Sequence, residues 1–126
     1  MTKPWAYRNT QDKLKIFVSS RLEECKDERS AASGAITALN HQPVLFEHIG
    51  ARPYPPRDLY LSRLRDSQVM VAIYRSGYGY IANEMDISGL EDEFRHAKAW
   101  GIDTLFYVKR EIEDRSPRLA AMIKEI

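Results

Sequence analysis

Four short apolar runs alternate with stretches of helical spacing along this chain, and that alternation admits few folds. Leu14 to Val18, Val44-Leu45-Phe46, Val69 to Tyr74 and Thr104 to Val108 are largely continuous in apolar character, Lys15 apart. Strands without a polar face are buried on both sides, which a parallel sheet between two helix layers provides. Between them, Leu22, Cys25, Ala32, Ile36 and Leu39 recur at helical spacing. A short helix is predicted from about Asp58 to Arg65, a longer one from Gly89 to Trp100 closed by Gly101, and a last one from Ser116 or Pro117. The order β-α-β-α-β-α-β-α with right-handed crossovers places every strand-to-helix loop at one edge of the sheet, where such folds bind ligands. That edge collects residues 19–21, 47–57, 75–88 and 109–116.

The 126 residues and 44% hydrophobic content suit one domain, read as 13–126 after an irregular lead-in at 1–12. Nineteen basic against 18 acidic side chains argue against a partner gripped through its phosphates, so no direct nucleic-acid partner is expected. No apolar run approaches the ~20 residues of a membrane span, and the start has no signal-type core. A cytoplasmic protein without a membrane partner is the expectation. The single Cys25 excludes an internal disulfide and any multi-cysteine metal site, and reads as packing. The stretch Pro117–Ile126 carries Leu119, Met122, Ile123 and Ile126 on one stripe and meets no stop signal, so the domain is expected to be the N-terminal part of a longer protein.

The chemistry-bearing residues gather on two segments. Ser20-x-x-Glu23 and Ser88-x-x-Glu91 both match capping boxes, which gives Glu91 a structural task. Glu91 and Asp92 are also spaced for surface ion pairs with Arg95 and point away from the stripe of Leu90, Phe94, Ala97 and Gly101. Glu93 flanks that stripe in the first turns of its helix, whose dipole favours an ionised carboxylate. Such an acid beside a nucleotide suits N-glycosidic cleavage: with the nicotinamide of NAD as leaving group no general acid is needed, and the carboxylate stabilises the ribosyl cation. Ser19 and Ser20 are candidates to offer hydroxyls and helix N-terminal N–H groups to a phosphate or ribose. Gly77-Tyr78-Gly79 with Arg75 is a candidate phosphate wrap, and Tyr78 and Tyr80 either stack on a base or pack the loop down. Glu47, with His48 beside it, is a second acid at the ligand edge. His41, His48 and His96 have no metal-ligand spacing, and no bound cofactor is expected beyond the nucleotide substrate.

Ile16-Phe-Val-Ser-Ser-Arg-Leu-Glu-Glu-Cys-Lys-Asp-Glu-Arg29 resembles the opening motif, roughly F-V-S-S-T-F-x-D-L-x-x-E-R, of a TIR-like family long catalogued as a domain of unknown function. The likeness continues through Pro43–Glu47, Asp66–Ile73, Tyr78-Gly79 and Glu91–Ala97. Such domains often precede STAND or NACHT NTPases and are distantly similar to TIR NAD hydrolases and nucleoside 2-deoxyribosyltransferases. The resemblance implies a TIR-like, flavodoxin-like three-layer α/β/α sandwich of four or five parallel strands. It implies an effector of a bacterial immune, antiphage or stress response that cleaves NAD or a related nucleotide when self-associated under attached sensor domains. Related enzymes carry the catalytic glutamate four residues before a small residue, a spacing met by Glu93 and Ala97. Ser19, Ser20, Arg21, Glu47, Gly77, Tyr78 and Gly79 would bind the substrate. Arg21 replaces the family's threonine and either holds a phosphate or narrows the mouth. The alternatives are a non-catalytic oligomerisation or nucleotide-sensing module and a deoxyribosyltransferase.

Overall fold

A computed structural model describes residues 13–46 and 55–126. The chain runs β1 (Lys15–Ser19), α1 (Lys26–Ala38), β2 (Gln42–Val44), α2 (Arg57–Arg65), β3 (Val69–Tyr74), α3 (Gly89–Ala99), β4 (Asp103–Val108) and α4 (Pro117–Ile123). The four strands form one parallel sheet in the order β2-β1-β3-β4, which is the flavodoxin-like order. Successive side chains of a strand face opposite ways, and the two faces have separate cores. Ile16, Val18 and Val71 pack beneath α1 with Ile36. Phe17, Met70, Ala72 and Tyr74 meet Tyr60 and Leu64 of α2, Leu90, Phe94 and Ala97 of α3, and Leu119 and Met122 of α4. Among the described residues no helix is long and apolar enough to cross a membrane.

Helix ends follow local chemistry where the sequence spells it. Ser88 caps α3 by accepting from the Glu91 N–H at 3.2 Å. The same helix ends in a Schellman turn: Gly101 at φ 67° lets Ile102 N–H reach the Ala97 carbonyl at 2.9 Å. Asn40, at φ 65°, closes α1 in the same way, with His41 N–H on the Ile36 carbonyl at 3.0 Å.

Two boundaries and one burial differ from the sequence reading. Helix α1 starts at Lys26 rather than at a Ser20 capping box, because Ser20 Oγ is held by the Arg29 side chain of α1 itself and residues 22–25 form turns. Leu39, placed on the apolar stripe, is 70% exposed. Strand β2 covers Gln42–Val44 instead of Val44–Phe46. Gln42 N–H donates inward to the Leu14 carbonyl at 2.9 Å, so the nitrogen of Pro43 faces the open edge and its missing N–H costs the ladder nothing. The lead-in at 1–12 lies outside the described residues.

Cys25 is fully buried and sits just before α1, its thiol 4.0 Å from the Ile73 carbonyl. Burial, with Glu24 and Glu28 adding, pushes the thiol pKa up to about 11. The native protein is therefore expected to resist alkylation by iodoacetamide at pH 8, and to react on denaturation; mass spectrometry checks both.

Candidate active site

The first strand ends at the ligand edge on Ser19 and Ser20, and both side chains are buried. Ser19 Oγ donates to Glu93 Oε1 at 2.6 Å, across the layer between β1 and α3. Glu93 is 2% exposed. Position 93 can turn inward because α3 packs through Leu90, Phe94 and Ala97 and so carries Glu93 toward the end of β1. Ser20 Oγ accepts from Arg29 Nη1 at 2.8 Å, and Arg29 also donates to the Ser20 and Phe46 carbonyls. Neither serine offers the N–H groups of a helix start, since α1 begins six residues beyond Ser20.

Arg29 is the residue that sequence reasoning passed over. It is 2% exposed and lines the same space as Glu93 and Ser20. The signal was present: Cys25, Arg29, Ala32 and Ile36 are spaced on one helix face, so a cation stood on an apolar stripe. The space among these groups, Phe46 and Pro55 is about 10 Å³, room for about one water. On the other side of Pro55 lies a cleft of about 260 Å³ bordered by Arg57, Tyr60, Tyr80, Asn83 and Met85.

Tyr74 ends β3 near this acid. Its ring is buried against Phe106, and among the described residues its hydroxyl has no hydrogen-bond partner. Burial raises its pKa, and the negative charge of Glu93 adds to the shift.

The loop after β3 is arranged differently from the expected phosphate wrap. Glu24 accepts from Ser76 Oγ at 2.6 Å and from Gly77 N–H at 3.0 Å, so a carboxylate of the chain holds the donors a phosphate would use. Burial opposes ionisation of Glu24, but these bonds and Arg21 hold its pKa below the usual value. Arg21 pairs with Glu24 at 3.7 Å and lies against Gly77, where an added Cβ would come 1.8 Å from Nη1. It roofs the loop and neither faces Glu93 nor stands apart in solvent. Arg75 donates to the Glu24 carbonyl. Tyr78 is not placed to cover a base: its ring is buried with Arg118 stacked on it, its hydroxyl accepts from Ser88 N–H at 3.2 Å and donates to Glu91. It thus supplies the half of the capping box that Glu91 does not reach. Tyr80 is 48% exposed and borders the cleft. Gly79 has φ 100°, a conformation that favours glycine. Gly79→Ala is expected to destabilise the fold by about 1–2 kcal/mol, read by thermal unfolding, whereas Gly77→Ala displaces the mobile end of Arg21 at smaller cost.

The remaining acids of α3 part company. Glu91 pairs with Arg95 at 2.9 Å, as its spacing predicts. Asp92, predicted to face outward, is buried: Arg57 Nε donates to it at 2.7 Å, Tyr60 Oη at 2.5 Å, and His96 Nδ1 lies 3.2 Å away. Helix α2 covers the flank of α3 that a helix considered alone leaves to water. Glu47 and His48 lie outside the described residues. Among the described residues no three His, Cys, Asp or Glu side chains gather as metal ligands.

Fold and site together define a flavodoxin-like α/β domain with a buried carboxylate under the ligand edge of its first strand. The chain belongs to the family described as "Domain of unknown function (DUF4062)", which it matches over residues 15–123. No curated protein and no solved structure matches it.

Proposed function

We propose that this domain cleaves the N-glycosidic bond of NAD or a related nucleotide when self-associated, as a TIR-like effector within a bacterial immune or stress-response protein. The observation that carries the proposal is the 2.6 Å bond from Ser19 to Glu93, which holds a carboxylate in one orientation at the sheet edge where this fold binds ligands. In this reading Glu93 stabilises the ribosyl cation as nicotinamide departs, and water completes hydrolysis to ADP-ribose. Ser19 and Ser20 position the ribose, and Arg29 orients Ser20. The cleft beyond Pro55 suits a nucleoside-sized part of the substrate, below the usual 300–1,000 Å³ of drug-sized pockets. Movement at Pro55 would join it to Glu93.

One observation favours a second reading, a non-catalytic oligomerisation or nucleotide-sensing module. The roughly 10 Å³ beside Glu93 admits no ribose unless that pocket opens. Chromatography for free nicotinamide after incubating NAD with artificially clustered domain separates the two. Release supports cleavage. No release from clustered, folded protein overturns it, and exchange of bases between added deoxynucleosides assigns the domain to transfer instead.

A further inference from the structure

We propose that β4 pairs with β4 of a second copy of this chain, antiparallel about Phe106, joining two four-stranded sheets into one. Strand β4 ends the sheet, and among the described residues nothing pairs with its outer edge. Lys109 N–H donates inward to the Tyr74 carbonyl at 2.9 Å, which fixes the phase of the strand. Backbone groups alternate in direction along a strand, so Leu105 and Tyr107 bond to β3 while Thr104, Phe106 and Val108 turn N–H and C=O outward. The outward groups form a ready template for another strand.

Both flanks of that edge are apolar and open. Leu105 and Tyr107 are 54% and 58% exposed, and a groove runs from them to Ile36 and Leu39. A second groove lies on the opposite face beside Phe106 and Ile126. Exposed edges are normally blunted by lysine, proline or a bulge. The other edge strand carries Pro43, whereas Asp103–Val108 has neither lysine nor proline.

The side chains specify a second copy in one register. With the twofold axis at Phe106, outward backbone groups meet as hydrogen-bonded pairs, Phe106 with Phe106 and Thr104 with Val108. Leu105 then faces Tyr107 and Asp103 faces Lys109, each twice, at the non-hydrogen-bonded positions where side chains approach most closely. Moving the axis one residue either way sets Leu105 against Lys109 or Tyr107 against Asp103. Only the register about Phe106 matches apolar with apolar and acid with base.

This inference stands apart from the nucleotide chemistry, because its readout is molecular mass. Sedimentation velocity over a concentration series is expected to show a dimer. Asp103→Lys and Lys109→Asp should each weaken it about tenfold or more, by setting like charges opposite each other twice, and the double variant should recover it. A chain that stays monomeric at every concentration, leaving the edge to another segment or protein, overturns the proposal. So does a dimer that neither reversal weakens. Leu105→Cys combined with Tyr107→Cys covers the case in which a charge variant fails to fold, since both sites are exposed. Its oxidation should yield a disulfide-linked dimer, and folded double-cysteine protein that forms none also overturns the pairing.

Discussion

Glu93→Gln in the clustered domain is expected to lower nicotinamide release from NAD by about a hundredfold or more, the usual loss when a preorganised electrostatic group is removed. Glutamine keeps the shape of the side chain, and its carbonyl still accepts from Ser19 Oγ; thermal unfolding checks that the variant is folded. The loss then falls on the charge facing the ribosyl cation. Ser19→Ala is the companion: it removes the hydroxyl that donates to Glu93 Oε1, so kcat/KM should fall about tenfold. Full activity in folded Glu93→Gln would remove Glu93 from the mechanism while leaving cleavage by another group open.

The second large effect concerns stability. Asp92→Ala is expected to destabilise the domain by about 2–4 kcal/mol in urea titrations, because it removes the carboxylate that accepts from Tyr60 and pairs with Arg57, bonds that join α2 to α3. Tyr60→Phe removes one bond of that group and should cost about 1 kcal/mol. Burial opposes ionisation of Asp92, yet the bonds from Arg57 and Tyr60 outweigh it and hold the carboxyl below its ordinary pKa. A depressed folded pKa means that the unfolded chain takes up the proton first as pH falls. The Asp92 contribution is therefore complete above about pH 4 and drains away as pH falls through the folded value. The gap between wild type and Asp92→Ala should narrow over that acid range, and a gap unchanged from pH 7 to pH 3 would refute the linkage.

What the sequence disclosed and what it hid follow from how local each determinant is. Strand β3 was legible to the residue because Val69–Tyr74 is apolar throughout, as a central strand must be. Helix α3 was legible from Ser88 and Gly101, whose capping roles are local chemistry. The inward placement of Glu93 was legible because the helical wheel set it beside the apolar stripe. Asp92 was misread because the solvent that wheel assumed is occupied by α2, a contact between segments distant in sequence. Ser20 was misread because its hydroxyl answers to the Arg29 side chain, nine residues on in α1, instead of to backbone N–H groups at a helix start. Glu24 lies within the Ile16–Arg29 motif, but nothing local says that its carboxylate fills the loop after β3.

The Ser19–Glu93 bond spans 74 positions of sequence. No local step of folding can make it: β1 and α3 must both be in place. Loop-closure entropy is paid in full before this contact returns anything. The acid is thus assembled only where β1 and α3 meet, and a chain in which they are apart holds no Ser19–Glu93 pair. For a domain proposed to consume a shared metabolite, chemical competence then arrives together with the native state, and local opening between β1 and α3 removes it again.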